Sequence, residues 1–341
     1  MACSQTHKAD DSKKPIAAFL VFNKNEETRN SSTSGGVFSA VGEYVIANDG
    51  VVYGAAFDPK YHLYHERAVF MDDLTRLRGT KYLQSNAFQS FVSIQQDLNQ
   101  GKKVLFVGTP CQVYALKVFL AHDYQNLYTV DLICHGVPSP ALFRGYIHFL
   151  QKKCDGEIIN FQFRSKEHAN SRISYTSKYK VRKEDGSEET VFIDGDEDPY
   201  IMQFLSNRLQ CKACFQCNFT SLDRQGDLTL GDYWGYSEAH PEFGDIQGVS
   251  LVLENTVKGN ELLFACRDKL HMVLTKEEKY LHKNRHLQSP PTMSDDRNRI
   301  YEAFVEKGFN QDFYRHYFLP KGYYQFLVKR RIIRFLNANK E

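Results

Sequence analysis

No stretch of this 341-residue chain holds the run of about eighteen apolar residues that a bilayer-spanning helix needs. The opening Met1 to Asp10 is polar and lacks the apolar centre of a secretory signal, so the sequence predicts a cytoplasmic protein whose cysteines stay reduced. Charge of one sign is also scarce: Lys and Arg exceed Asp and Glu by only two, too few for a broad nucleic-acid surface. Neither G-x-G-x-x-G nor the P-loop pattern occurs, which removes the dinucleotide fingerprint and the NTPase cradle as explanations. Internal repeats and low-complexity segments are missing too, and there is a single tryptophan, Trp234.

Cysteine is what stands out, and four of the eight sit where a metal could gather them. Cys111 follows the apolar run Val104 to Val107, and Cys134 follows Val130 to Ile133. Each therefore lies just beyond an expected buried strand, at the edge where open α/β sheets keep their sites. Cys214-x-x-Cys217, preceded by Cys211, supplies a local pair. Thiolates are soft ligands for an iron-sulfur cubane, tetrahedral zinc sites use the same C-x-x-C half-site, and buried cysteines also pack without any metal; spacing leaves all three open. In the metal readings, Lys212, the loop amides and Arg208 would offset negative charge. Cys3, Cys154 and Cys266 carry no motif, and Cys266 reads as a packed helix thiol.

The apolar pattern predicts an α/β protein with a mainly parallel mixed sheet, flanking helices, a second α+β region and a helical C-terminus. Strands are expected at 15–22, 51–57, 103–107 and 127–133, and helices at 37–46, 86–99, 113–120 and 140–152, with Ser34 and Ser139 as N-caps. Past residue 153, the segments 158–164 and 173–181 alternate like antiparallel strands. The resulting division is 1–30, a polar N-terminal segment; 31–153, an α/β region; 154–290, an α+β region with the cysteine loop; and 291–341, a helical extension.

Other groups carry potential chemistry. Ser34-Gly35-Gly36 at a helix start suits an anion cradle, or equally a capped helix packed closely through glycine. Arg78-Gly79-Thr80-Lys81-Tyr82 sets two cations, a hydroxyl and an aromatic around a turn, suited to phosphate and a planar ring or to a plain solvated loop. Gly108-Thr109-Pro110-Cys111-Gln112 places a thiol at a positive helix end, and Cys111 with His135 could also form a nucleophilic pair. The segment Asp227 to Gly235 reads as a pocket wall or as core around Trp234. The basic amphipathic tail Lys329 to Leu336 suits docking on protein more than contact with a membrane surface.

Six blocks in order, Ser34 to Phe38, Gly79 to Tyr82, Gly108 to Gln112, Asp131 to Ser139, Cys214 to Cys217 and Asp227 to Gly235, resemble the coenzyme F420 hydrogenase/dehydrogenase beta-subunit family over about residues 30–320. The resemblance implies an iron-sulfur flavoprotein passing electrons between a 4Fe-4S cluster and a two-electron substrate through FAD. It implies Cys111, Cys134, Cys214 and Cys217 as cluster ligands, with Cys211 a spare or alternative ligand. It places Ser34, Gly35, Gly36, Gly79, Thr80, Lys81, Tyr82, Gly108, Thr109, Pro110 and Gln112 around FAD. Lys81 would compensate phosphate or reduced-flavin charge, and His135 would supply a proton.

Many bacterial relatives begin with a closely spaced set of ferredoxin-like cysteines, whereas only Cys3 precedes Cys111 here. A separate ferredoxin, a partner redox subunit or reduced nicotinamide would then deliver electrons, and an oligomer fits the same picture. Relatives of this form resemble accessory proteins of surface-polysaccharide synthesis, which implies a small-molecule sugar or nucleotide-sugar substrate rather than F420. The rival readings are a zinc-stabilised scaffold without redox activity and a nucleotide-sugar-modifying transferase.

Overall fold

Short continuous apolar runs become strands covered on both faces, because a buried parallel strand has no polar side to present. In the computed structural model, which describes residues 14–167, 175–244, 246, 248–319 and 322–329, eleven strands are seen. They are β1 (Ala17–Asn23), β2 (Val51–Phe57), β3 (Leu63–Ala68), β4 (Val104–Gly108), β5 (Leu127–Leu132), β6 (Glu157–Ser165), β7 (Thr176–Arg182), β8 (Glu188–Ile193), β9 (Leu228–Asp232), β10 (Ser250–Glu254) and β11 (Leu270–Thr275).

Eight of them form one mixed sheet in the order β11-β1-β10-β9-β5-β4-β2-β3, and β6-β7-β8 form a second, antiparallel sheet. The expected α/β class holds. The parallel part is the centre, β2-β4-β5-β9, and antiparallel strands extend it on both sides. The extensions β3, β10 and β11 were not expected from the sequence, and neither was β8. β3 carries His65, Glu66 and Arg67 in succession, which breaks the apolar alternation and hides it as an edge strand.

One face of the large sheet is covered by helices Val37–Ala47 and Val257–Ala265, whose Val41, Val45, Leu262 and Leu263 pack on Leu105, Val130, Leu228 and Val252. On the other face, Phe91, Ile94, Val113 and Leu116 of helices Phe91–Asn99 and Pro110–Leu120 meet Tyr53, Val104 and Phe106. The expected 86–99 helix is a short 3-10 turn followed by a helix. Its buried stripe is Phe91, Ile94 and Leu98, while Phe88 and Val92, expected on that stripe, are exposed. A third core joins helix Pro140–Cys154, the small sheet, helix Pro199–Leu205 and helix Arg297–Lys307 through rings such as Phe143, Phe163, Tyr200 and Phe318. The tail beyond Lys329 and Cys3 lie outside the described residues. Among the described residues no helix is long and apolar enough to cross a membrane.

Direction matters more than order for the site. β1 runs antiparallel to β10, which runs antiparallel to β9, so β1 points the same way as β2, β4, β5 and β9. The segments following β1, β4, β5 and β9 therefore emerge along one edge, and these carry Ser34 to Gly36, Thr109 to Gln112, Cys134 to Gly136 and Tyr233 to Gly235.

Candidate functional site

Cys111 sits in the first turn of helix Pro110–Leu120, directly beyond β4. Thr109 is the N-cap of that helix, and the Gln112 side chain accepts from the Thr109 amide at 3.0 Å, completing a capping box. The thiol thus lies at the positive end of an eleven-residue helix, as expected, with the Thr109 hydroxyl 3.2 Å from sulfur. Cys134 follows β5, the parallel neighbour of β4 with Gly108 beside Asp131.

The third cysteine element reaches the same place by a long-range contact. The Cys211 amide donates to Val137 O at 2.9 Å and Pro138 pairs with Gln210, which lays the cysteine loop along the segment after Cys134. The turn Lys212–Gln216 then presents Cys214, to whose sulfur the Val137 amide donates at 3.5 Å, while the Gly136 amide donates to Cys134 Sγ at 3.3 Å. Gly136 has φ +90°, and a Cβ there would stand 3.0 Å from the Cys214 Cβ, so the approach of the two thiols needs glycine.

Electrostatics register the gathering. Burial pushes the Cys134 thiol far above its ordinary value, and the thiols of Cys111, Cys214 and Cys217 add to the shift. Cys214 is pushed up to about 12, again by burial first, with Cys211, Cys111 and Cys217 among the further causes. Such thiols hold their protons until a cation displaces them. Among the described residues, no three His, Cys, Asp or Glu side chains already stand in a closed metal-ligand arrangement. The thiols converge without closing on one centre; their softness and the two amides aimed at sulfur fit a thiolate-bound metal.

Two arginines that no local pattern announces hold the cysteine loop. Arg224, fully buried, pairs with Asp131 of β5 at 2.8 Å and donates to Phe219 O, Ser221 O and Leu132 O, while Asp131 also accepts from the Gln225 and Gly226 amides. Arg297 donates to Gln210 O at 3.0 Å and lies 4.0 Å over the Tyr301 ring; burial pushes the Cys211 thiol up, and the Arg297 charge offsets part of that rise. Arg208, expected to offset cluster charge, is instead committed to Asp296 and to Gln203. Arg297 is the buried cation beside the loop, and its signal was invisible because it arrives from a helix 86 residues further on.

His135 bonds Asn207 Oδ1 at 2.6 Å and lies 5.0 Å from the Phe204 ring and 4.3 Å from that of His286. Burial lowers its pKa. The segment 80–86 is the tie between the remaining blocks. Thr80 N donates to Thr33 Oγ1 at 2.9 Å, Tyr82 stacks on Phe204 at 4.5 Å, Gln84 N donates to Pro138 O at 3.0 Å, and Ser85 accepts from Gln112 Nε2 at 2.8 Å.

A profile for the C-terminal part of the coenzyme F420 hydrogenase/dehydrogenase beta subunit matches residues 101–279, which include all four candidate ligands. The chain belongs to this family. Among solved structures it is similar to a chain of the F420-reducing NiFe hydrogenase complex from Methanosarcina barkeri, with TM-score 0.52 and 15% identity over 90% of this chain and 97% of that one. That likeness shows a shared fold. No curated protein matches the chain. Membership in a hydrogenase/dehydrogenase family makes the chain an oxidoreductase-family protein.

In this family member the blocks outside the matched range lie among several cations. Ser34 does not cap its helix: the N-cap is Gly36, at φ +81°, and the Ser34 hydroxyl donates to Val249 O at 2.9 Å. A Cβ on Gly35 would stand 2.4 Å from Val21 O, so close packing explains that glycine. Around the loop stand Arg29, Arg78, Lys81 and Lys166, none ion-paired to a carboxylate among the described residues. Lys166 donates to Arg29 O and Ser34 O, Arg78 to Ser31 Oγ, and Lys81 to the carbonyls of Arg76, Leu77 and Arg78. Burial lowers Lys81 to about 7 and Lys166 to about 8. The fully buried Ser39 hydroxyl and the Nε of Arg29 and of Arg78 have no hydrogen-bond partner. Unbalanced cations and idle donors at a helix start suit a dinucleotide's diphosphate. Gly79, at φ +81°, turns the chain towards Tyr82, beside which Arg164 is ion-paired to Asp232 and lies 4.8 Å over Tyr175, itself stacked on Trp234.

Proposed function

We propose that the chain is a flavin-dependent iron-sulfur oxidoreductase, with Cys111, Cys134, Cys214 and Cys217 as ligands of one 4Fe-4S cluster and FAD on the adjoining cationic loop. The observation that carries the reading is the convergence of thiols from two parallel strand ends and a distant loop, close enough to raise one another's pKa. Bound there, FAD would exchange two electrons with a substrate and single electrons with the cluster.

The chain's own contributions follow from its contacts. Gly136 and Val137 direct amides at sulfur, Arg297 brings positive charge beside Cys211, and the segment 80–86 links the loop at Thr33 to the helix start at Gln112. His135, held by Asn207, is the candidate proton carrier, and Lys81, next to the Thr80 that bonds Thr33, would offset flavin charge. The substrate proposed is a sugar or nucleotide sugar, with a separate ferredoxin or redox subunit as electron partner in a cytoplasmic setting. The similar M. barkeri chain is itself part of a hydrogenase complex.

Anaerobic purification followed by iron, sulfide and flavin analysis tests the reading. About four iron atoms per chain and one FAD are expected, with Cys134→Ser losing iron while retaining the wild-type circular dichroism. A colourless protein with one zinc, or one that takes up neither iron nor flavin on reconstitution, overturns it.

A further inference from the structure

At the far end of the same sheet edge, the β2–β3 hairpin, helix Pro140–Cys154 and the start of β6 enclose a cleft of about 370 Å³, at the small end of the usual range for ligand pockets. Its floor is apolar, made by Tyr61, Ile147 and Ile158, all buried. Its walls are basic. Arg144 and His148 stand one helical turn apart on one face of the helix, with Gln151 a turn further, and Lys60 faces in from the hairpin tip. Among the described residues the side chains of Lys60, Arg144 and His148 make no hydrogen bond or ion pair. Glu157, the acidic group at the rim, lies 3.5 Å from Arg182 outside the cleft.

The walls are fixed in advance. Tyr61 holds φ +59°, a costly conformation for a bulky residue. It is kept there by its hydroxyl bond to Ile158 O at 3.0 Å, its amide bond to Asp58 O at 3.0 Å and ring contacts with Phe57 and Phe143. The Asp58 carboxylate accepts from the Lys60 and His62 amides at 2.8 Å each, which sets the direction of the hairpin tip. The left-handed turn that closes the β2–β3 hairpin thus sets a fixed wall beside cations that have no partner among the described residues.

We propose that this cleft binds a small organic phosphate, a phosphomonoester on an uncharged hydroxylated body. Arg144 presents the planar fork that matches phosphate oxygens, Lys60 and His148 add charge, Gln151 and Glu157 meet hydroxyls, and the apolar floor takes the ring. The site is separate from the thiols and independent of any cofactor.

Isothermal titration of the full chain as purified, at constant ionic strength, tests this with glucose 6-phosphate, glucose and glucuronate. Saturable binding of glucose 6-phosphate is expected, at least tenfold tighter than either control. Arg144→Ala should weaken it about tenfold and Arg144→Lys less. Arg78→Ala, on the loop assigned to the flavin, should leave it unchanged. No saturable binding, equal binding of glucuronate, or loss with Arg78→Ala but not with Arg144→Ala overturns the proposal. Circular dichroism confirms that each variant is folded.

Discussion

The two halves of the thiol site are built on different principles. Cys111 and Cys134 are placed by regular structure: adjacent parallel strands end level with each other, and the thiols follow by two or three residues. The loop carrying Cys211, Cys214 and Cys217 has no strand of its own: a short backbone pairing with Val137 and Pro138 and Arg297 through Gln210 hold its start, and Arg224, paired to Asp131, holds the segment just after Cys217. The first half tolerates side-chain change as long as the sheet forms; the second leans on long-range polar contacts.

The largest expected effect tests that dependence. Asp131→Ala leaves the Arg224 guanidinium buried without its partner and frees two amides, at a cost of about 3–5 kcal/mol in chemical unfolding. Iron retention should fall in parallel even in protein that remains folded. If iron binding survives with only a stability loss, the loop is positioned by something other than this pair.

The strand-placed half has its own polar tie, which titrates. His65 bonds Val107 O at 2.9 Å and contacts Ser85, the residue that receives Gln112. Burial lowers its pKa from 6.5 to about 4. The unfolded chain therefore takes up this proton as pH falls through 6.5, while native His65 stays neutral until about pH 4. Its contribution is complete above pH 6.5 and is lost on the way down, by up to about 3 kcal/mol. Unfolding free energies between pH 7 and 4 should show an acid-side slope in the wild type that His65→Gln reduces.

Arg297→Met removes a hydrogen bond, a cation–ring contact and the charge beside Cys211, for about 1–3 kcal/mol. Arg297→Lys should recover more iron binding than stability, if charge rather than geometry is what the loop needs. Urea midpoints set against iron content separate the two.

The smallest effect compares two caps. Thr109→Ala breaks a true capping box and should cost about 1 kcal/mol, read as a drop in melting temperature with the Cys111 helix start loosened. Ser34→Ala removes the bond its hydroxyl donates to Val249 O and the one it accepts from Ser250 Oγ, neither of them a helix cap, and its effect should appear in flavin retention rather than helix stability.

The strand-placed half was also the legible half. Runs such as Val104 to Val107 and Val130 to Ile133 announce buried strands, and the positions of Cys111 and Cys134 followed from them. β10, with its Ser-Leu-Val-Leu-Glu, and β11 went unread because their pairing with β1 spans more than 220 residues and no turn signals it. The Ser34 cap failed for a local reason: two glycines follow it, and the second takes the left-handed cap position, which a β-carbon would strain. Arg224 and Arg297 are single residues whose roles exist only in the folded contact, so no spacing rule could single them out.

Because the connections bearing Ser34, Cys111 and Cys134 leave by one side of the sheet, the helix-to-strand turns of the opposite side are mechanically spare. The turns at Asn48–Gly50, Gln100–Lys103 and His122–Asn126 join helices to strands there, a full strand length from the thiols. A reporter domain or affinity handle spliced at His122 and Asp123, both exposed, would ride on the protein without touching its reactive rim.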